Sequence, residues 1–316
     1  MKKWFLIFYF LVHTHCAKVH FSALKTPDGD DLTIEFCTPE RMEYLNLSKE
    51  LNNLRAQFDT LESEISQLKK KQHRLMVNGQ LLAAGGRPLW QDSNELFKEG
   101  ESLKKKHNTL VLERNRLNAE LRQSGSSKKL QELIQNVKES IKLNKDNIEV
   151  AKKYVDALQR VINHFKDSDS FDASSETIKL SELKEEWYDI NGQMLKVAFQ
   201  VDLLKADRFG FSVTICQFLQ EGRQITNHGK SLGAELNSLI EKENNLVENF
   251  NNLAMESINL VTKRNKAEKE DNLSEAISYI NKEIPNIRSS LKTAKNILEI
   301  AEEIQEIQED IIEEHP

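Results

Sequence analysis

From Tyr44 the apolar residues fall at 44, 47, 51, 54, 58, 61, 65, 68 and 75, and Gln72 alone interrupts the alternation of threes and fours. A repeat locked at half a heptad is the seam of a coiled coil, whereas a helix resting on a globular core shows a broader stripe drifting at ~3.6 residues per turn. This first predicted helix starts at Thr38-Pro39, an N-cap followed by proline at the first helical position, and ends near Asn78-Gly79. Ala83-Ala-Gly-Gly-Arg-Pro88 reads as a turn. A second helix is predicted from Asp92 or Ser93, with Leu96, Leu103, Leu110 and Leu117 at intervals of seven and Gly125 as its stop. His107 and Arg114 weaken its seam, which places it at the edge of a bundle. The third, after Ser126-Ser127, carries Leu130, Ile134, Val137, Ile141, Ile148, Ala151, Val155, Leu158, Ile162 and Phe165. Asn144 is its one polar seam residue, of the kind that fixes register or partner choice at some cost in stability.

Residues 166–177, rich in Asp and Ser, predict a reversal. The seam then runs from Leu180 to Leu260 in one phase, which as an unbroken helix would be a rod of about 120 Å at ~1.5 Å per residue. Gly210, Gly222, Gly229 and Gly233 argue for a break, placed at 226–230, since an interior glycine costs about 1 kcal/mol relative to alanine. A second reversal is expected over Lys263–Asn272, followed by a last helix over 272–312 that Pro285 should kink or divide. Ile304, Ile307 and Ile311 shift phase, which predicts a fraying tail.

The front of the chain has another rhythm. Val19, Phe21 and Ala23 alternate with polar residues, as do Leu32, Ile34 and Phe36, and Pro27-Asp28-Gly29 between them has the chemistry of a tight turn. A β-hairpin is expected over 17–37, resting on the helices because an isolated hairpin is marginal in water. Before it, Lys2-Lys3 and the apolar run Trp4–Val12 read as a signal peptide spanning 1–16, cleaved after Cys16 or, as the close alternative, after Ala17. The run is too short to span a bilayer, and no later stretch approaches the roughly 20 apolar residues a membrane helix needs. The expected product is therefore secreted and extracellular. Cys37 and Cys216 remain as a candidate disulfide, against two unpaired thiols. The triplets Asn46-Leu-Ser48 and Asn272-Leu-Ser274 are candidate N-glycosylation sites, though such triplets also arise by chance.

Composition agrees with long solvated helices: 30% charged residues, few Gly and Pro, and a formal net charge of −6. An acidic chain without a basic domain is a poor ligand for nucleic acid, whose affinity comes largely from cations on phosphates. The runs Lys69-Lys-Lys71 and Lys104-Lys-Lys106 are candidates for touching a polyanion such as heparan sulfate, against the blander reading of a solvated helix face. The histidines show no metal-ligand spacing, no phosphate loop or nucleophile elbow occurs, and a narrow bundle filled by its own leucines offers little room for a pocket. No catalytic, cofactor or metal residues are assigned, and the chain is not expected to be an enzyme. Arg208–Leu219, aromatic and β-branched, reads either as a segment that enters a membrane, as in helical pore-formers, or as a continuation of the seam packed beneath the hairpin. At twelve residues it is short for a span, and the second reading is preferred.

The stretch Ala23–Cys37 running into Tyr44-Leu-Asn-Leu-Ser-Lys-Glu-Leu51 resembles the secreted salivary proteins of about 34 kDa of mosquitoes and related blood-feeding flies, as does the order signal, short β element, then helix to the end. The resemblance implies a non-enzymatic salivary protein acting on host haemostasis or immunity. The fold expected is all-α, an elongated antiparallel coiled-coil bundle with a small N-terminal hairpin. Its expected partners are host proteins or further copies of itself, with no nucleic acid, no membrane and no cofactor. The alternatives are a helical pore-forming toxin and an extracellular structural coiled coil.

Overall fold

A computed structural model describes residues 37–77, 87–165, 174–222 and 227–313. The expected signal peptide and hairpin, apart from Cys37, lie outside the described residues. Among the described residues the protein is all-α, with six long helices and no strand: α1 (Pro39–Val77), α2 (Arg87–Ser124), α3 (Ser127–Phe165), α4 (Ser175–Gln220), α5 (Asn227–Lys269) and α6 (Leu273–Glu313).

The helices form two hairpin-like triplets, α1–α3 and α4–α6, joined along α1 and α4. Neighbours follow the order α2, α3, α1, α4, α6, α5. Within the first triplet α1 and α3 run parallel, since Glu43 pairs with Lys138 and Glu50 with Lys145. α2 returns antiparallel to α3, with Arg114 meeting Asn136 and Lys129 meeting Glu120. In the second triplet α5 runs antiparallel to α6 and to α4, which its long side chains also reach, as the pairs Arg264–Glu283, Arg208–Glu243 and Lys184–Glu268 require. The seams therefore close within one chain.

α1 and α4 are antiparallel and fit closely because both present small residues. On α1 a second stripe, Ser48, Asn52, Ala56, Asp59, Ser63 and Ser66, is buried at seam spacing beside the leucine stripe. Ser63 Oγ donates to the Gly192 carbonyl and Ser66 Oγ to the Tyr188 carbonyl, which only short side chains and a close backbone approach allow. A Cβ on Gly192 would lie 2.8 Å from Gln67 Nε2. α4 is consequently buried on both sides: Trp187, Met194, Val197 and Val201 enter the core with α5 and α6, while Phe209 and Val213 pack against Tyr44, Leu45 and the α3 residues. Between those two faces α4 keeps an exposed polar edge that includes Gln193, Lys196 and Gln200.

Several boundaries differ from those expected. α2 begins at Arg87, with Pro88 in its first turn, where a missing N–H costs no intrahelical bond. Ser174 caps α4 by accepting from the Thr177 N–H. The 178–262 segment is two helices, and the break comes at Glu221-Gly222, where Gly222 takes φ +76°. α5 runs on to Lys269, so Lys263–Lys269 is helix and the reversal is confined to Glu270–Asn272. Its last turns are held in place because Arg264, Asn265 and Ala267 are buried. Pro285 does not divide α6, which continues to Glu313. Nor is the tail a loose end: Ile304, Ile307 and Ile311 are buried with Phe211, Ile215, Leu236, Leu239 and Ile240. Their shift of phase follows a change of neighbours, toward the far end of α4 and the start of α5.

Candidate functional site

The polar interruptions noted along the seams meet one another. Asn144 of α3 is 0% exposed and faces His107 of α2, also 0% exposed, with Asn144 Nδ2 3.3 Å from His107 Nδ1. About two turns away Arg114 Nε donates to Asn136 Oδ1 at 3.2 Å, and its guanidinium also reaches Ser140 Oγ. The weak seam of α2 is thus complementary to polar positions on α3, which sets the register of that pair.

Toward the middle of the first triplet lies a cavity of about 20 Å³, lined among others by Phe58, Glu62, Phe97, Glu101, Lys104, Asn147 and Tyr154. That is room for about one water molecule, not a substrate. The two lysine runs contribute to this interior. Lys104 is buried with its Nζ 3.6 Å from Glu62 Oε1 and 6.0 Å from the Phe58 ring centre. Lys69 is buried with its Nζ 5.2 and 5.3 Å from the ring centres of Phe97 and Tyr154. Lys70 is tied to Asp189 at 2.5 Å. Neither run is a wholly solvated face, since Lys69 and Lys104 are buried and Lys70 is engaged in a partly exposed pair. Burial pushes the Glu101 carboxyl up against the pull of Lys104, and burial likewise raises the Tyr154 hydroxyl.

Along the α1–α4 contact, Asp59 of α1 and Asp202 of α4 form a pair of like charges. Burial raises both carboxyls; Asp202 and Glu62 raise Asp59 further, against Arg55 and Lys104. Among the described residues Asp59 Oδ2 has no hydrogen-bond partner. A shared, partly protonated pair is the arrangement that such burial favours.

A third polar cluster closes the α5–α6 end. Arg264 (2% exposed) binds Glu283 (1%) at 2.7 Å and approaches Glu268 at 3.6 Å, while Lys184 binds Glu268 at 2.7 Å. The guanidinium lies 5.4 Å from the Trp187 ring centre. Burial pushes Glu283 up to about 7 although Arg264 opposes it, depresses Lys184, and holds His73 of α1 down to about 3 with help from Lys184 and Arg264.

Cys37 and Cys216 are joined as a disulfide with Cα atoms 5.3 Å apart, and Gln220 Nε2 donates to the Cys37 carbonyl. The segment Arg208–Leu219 lies within α4, its Phe211, Ile215 and Cys216 buried. Among the described residues no helix is long and apolar enough to cross a membrane, and no three His, Cys, Asp or Glu are placed to hold a metal ion. Asn46 and Asn272 are both exposed, the first within α1 and the second at the α5–α6 turn. Periodicity did not reveal Asp59, Glu62, Lys104, Arg264 or Glu283 as interior groups. The signal present was the small-residue stripe of α1, whose fourth member is Asp59.

Comparison of the chain with protein-family models, with curated proteins and with solved structures gives no match.

Proposed function

We propose that the protein is a secreted, non-enzymatic helical binding protein, a salivary effector that acts on host haemostasis or immunity through protein–protein contacts. In full it is an elongated antiparallel bundle with a β-hairpin at its front, delivered by a cleaved signal. The observation that carries this reading is the filled interior. Its core positions are occupied by its own side chains from Cys37 to Ile311, and the central cavity accommodates only about one water. Binding must then be done by the outer faces of long helices, which are rich in charge and poor in apolar patches. The extracellular placement is supported by the Lys2–Val12 pattern and by a disulfide, a bond that persists in oxidising compartments.

The test is expression of the whole chain in insect cells with its own leader. Medium containing a product that begins at Ala17 or Lys18, and that alters platelet aggregation, plasma clotting or complement activation at stoichiometric amounts, supports the reading. A product retained in cells overturns the secretion. A secreted product that instead releases dye from liposomes, or elutes only as large particles, replaces the reading with a pore-former or a structural coiled coil.

A further inference from the structure

The two glycosylation triplets stand in different surroundings. Asn46 lies in the second turn-pair of α1, on the rim where α1 meets α3, between Glu43 and Glu50, whose carboxylates are bound by Lys138 at 2.6 Å and Lys145 at 2.8 Å. Its Ser48 is only 5% exposed and belongs to the small-residue stripe against α4. Once α1 has packed, the hydroxyl the modification requires is inside the protein, and a sugar on Asn46 would stand amid two inter-helix ion pairs.

Asn272 is at the open end of the bundle. It follows Asp271, which takes φ 53°, and it caps α6: its Oδ1 accepts from the Glu275 N–H at 3.2 Å and its Nδ2 donates to Glu275 Oε2 at 2.9 Å. Asn272 and Ser274 are both exposed. An N-linked sugar replaces one of the two Nδ2 hydrogens. The cap needs only the carbonyl oxygen and one N–H, and a modified Asn272 retains both groups.

We propose that Asn272, and not Asn46, carries an N-linked glycan. In the step, Nδ2 bonds to C1 of an oligosaccharide held on a lipid diphosphate. The C1–O bond breaks, the diphosphate leaves with the electron pair, and Nδ2 gives up one proton. The proposal rests on the secretion reading above, because only the secretory route supplies that donor. The glycan stands at the end of the bundle where α4 begins and the Lys184–Glu268 pair closes the core, opposite the disulfide.

The experiment expresses the full chain in insect cells as wild type, N46Q, N272Q and S274A, and compares electrophoretic mobility before and after peptide N-glycosidase. S274A removes the acceptor motif and leaves the Asn272 cap intact, so it reports even if N272Q folds poorly. One mobility step, lost in N272Q and S274A and kept in N46Q, is the expected result. Loss of the step in N46Q, two steps, or a secreted wild type with no step overturns the proposal. A chain that gains the step but stays inside the cell overturns secretion and leaves the glycan assignment standing.

Discussion

Replacing Arg264 with methionine removes one charge from a place where water cannot replace it. The guanidinium is 2% exposed and holds Glu283 (1% exposed) at 2.7 Å, with Glu268 at 3.6 Å and Trp187 beneath it at 5.4 Å from the ring centre. Stranding one member of a buried ion pair costs about 3–5 kcal/mol, and losing a cation over an indole costs about 1 kcal/mol more. The terms share partners, so about 4 kcal/mol in all is expected at pH 8. Lys184 stays nearby on Glu268 and limits the loss. The double variant Arg264→Met/Glu283→Leu removes both charges with similar volume and should recover most of that cost. Lowering the pH should also help the single variant, because Glu283 is pushed up to about 7 and takes up a proton once its cation is gone. Urea unfolding followed by far-ultraviolet circular dichroism, with the disulfide intact, measures all three. A cost below about 1 kcal/mol for Arg264→Met, or a double variant as unstable as the single one, would refute the assignment of this pair to the interior.

Serine at both Cys37 and Cys216 should lower stability by up to about 5 kcal/mol, the loop-entropy figure for a cross-link spanning 179 residues, read as a drop in the urea midpoint against the oxidised wild type. Asp59→Asn should stabilise the protein at pH 8 and lose that advantage near pH 4. The folded-state pKa of Asp59 lies above its ordinary 3.8, so the wild type has its full stability below that value and loses it as pH rises through the folded one. Parallel melting curves for the variant and wild type across that range would count against the coupling of Asp59 to Asp202. Asn144→Leu alone should cost about 1–3 kcal/mol by disturbing the His107 pair, whereas His107→Leu/Asn144→Leu should be close to neutral in stability but less specific in register, which cross-linking of α2 to α3 would detect.

The helical content and most reversals were legible because leucine and isoleucine at half-heptad spacing leave few other arrangements. Less legible was which helix has neighbours on two sides. A single seam is what a two-stranded partner sees, and α1 carries a second one made of Ser48, Asn52, Ala56, Asp59, Ser63 and Ser66. These residues carry little hydrophobic signal, yet they decide that α1 lies against α4 as well as α3. The same blindness affected Lys69 and Lys104, which look like solvent-facing charge until neighbouring helices supply aromatic rings and Glu62. The Ile304–Ile311 run was read as a fraying tail by a local rule that tertiary burial overrode: Ile304 and Ile311 are 0% exposed and hold the end of α6 in place.

The covalent link between Cys37 and Cys216 encloses α1, α2, α3 and nearly all of α4 in one closed ring of chain. A single cut anywhere between Cys37 and Cys216 would open the backbone without separating the pieces, because both ends of the cut stay tethered through the sulfurs. Such a nicked molecule stays one covalent unit until a reductant reaches the bond. Survival in a protease-rich fluid would then depend on the redox state of that fluid as much as on its peptidases.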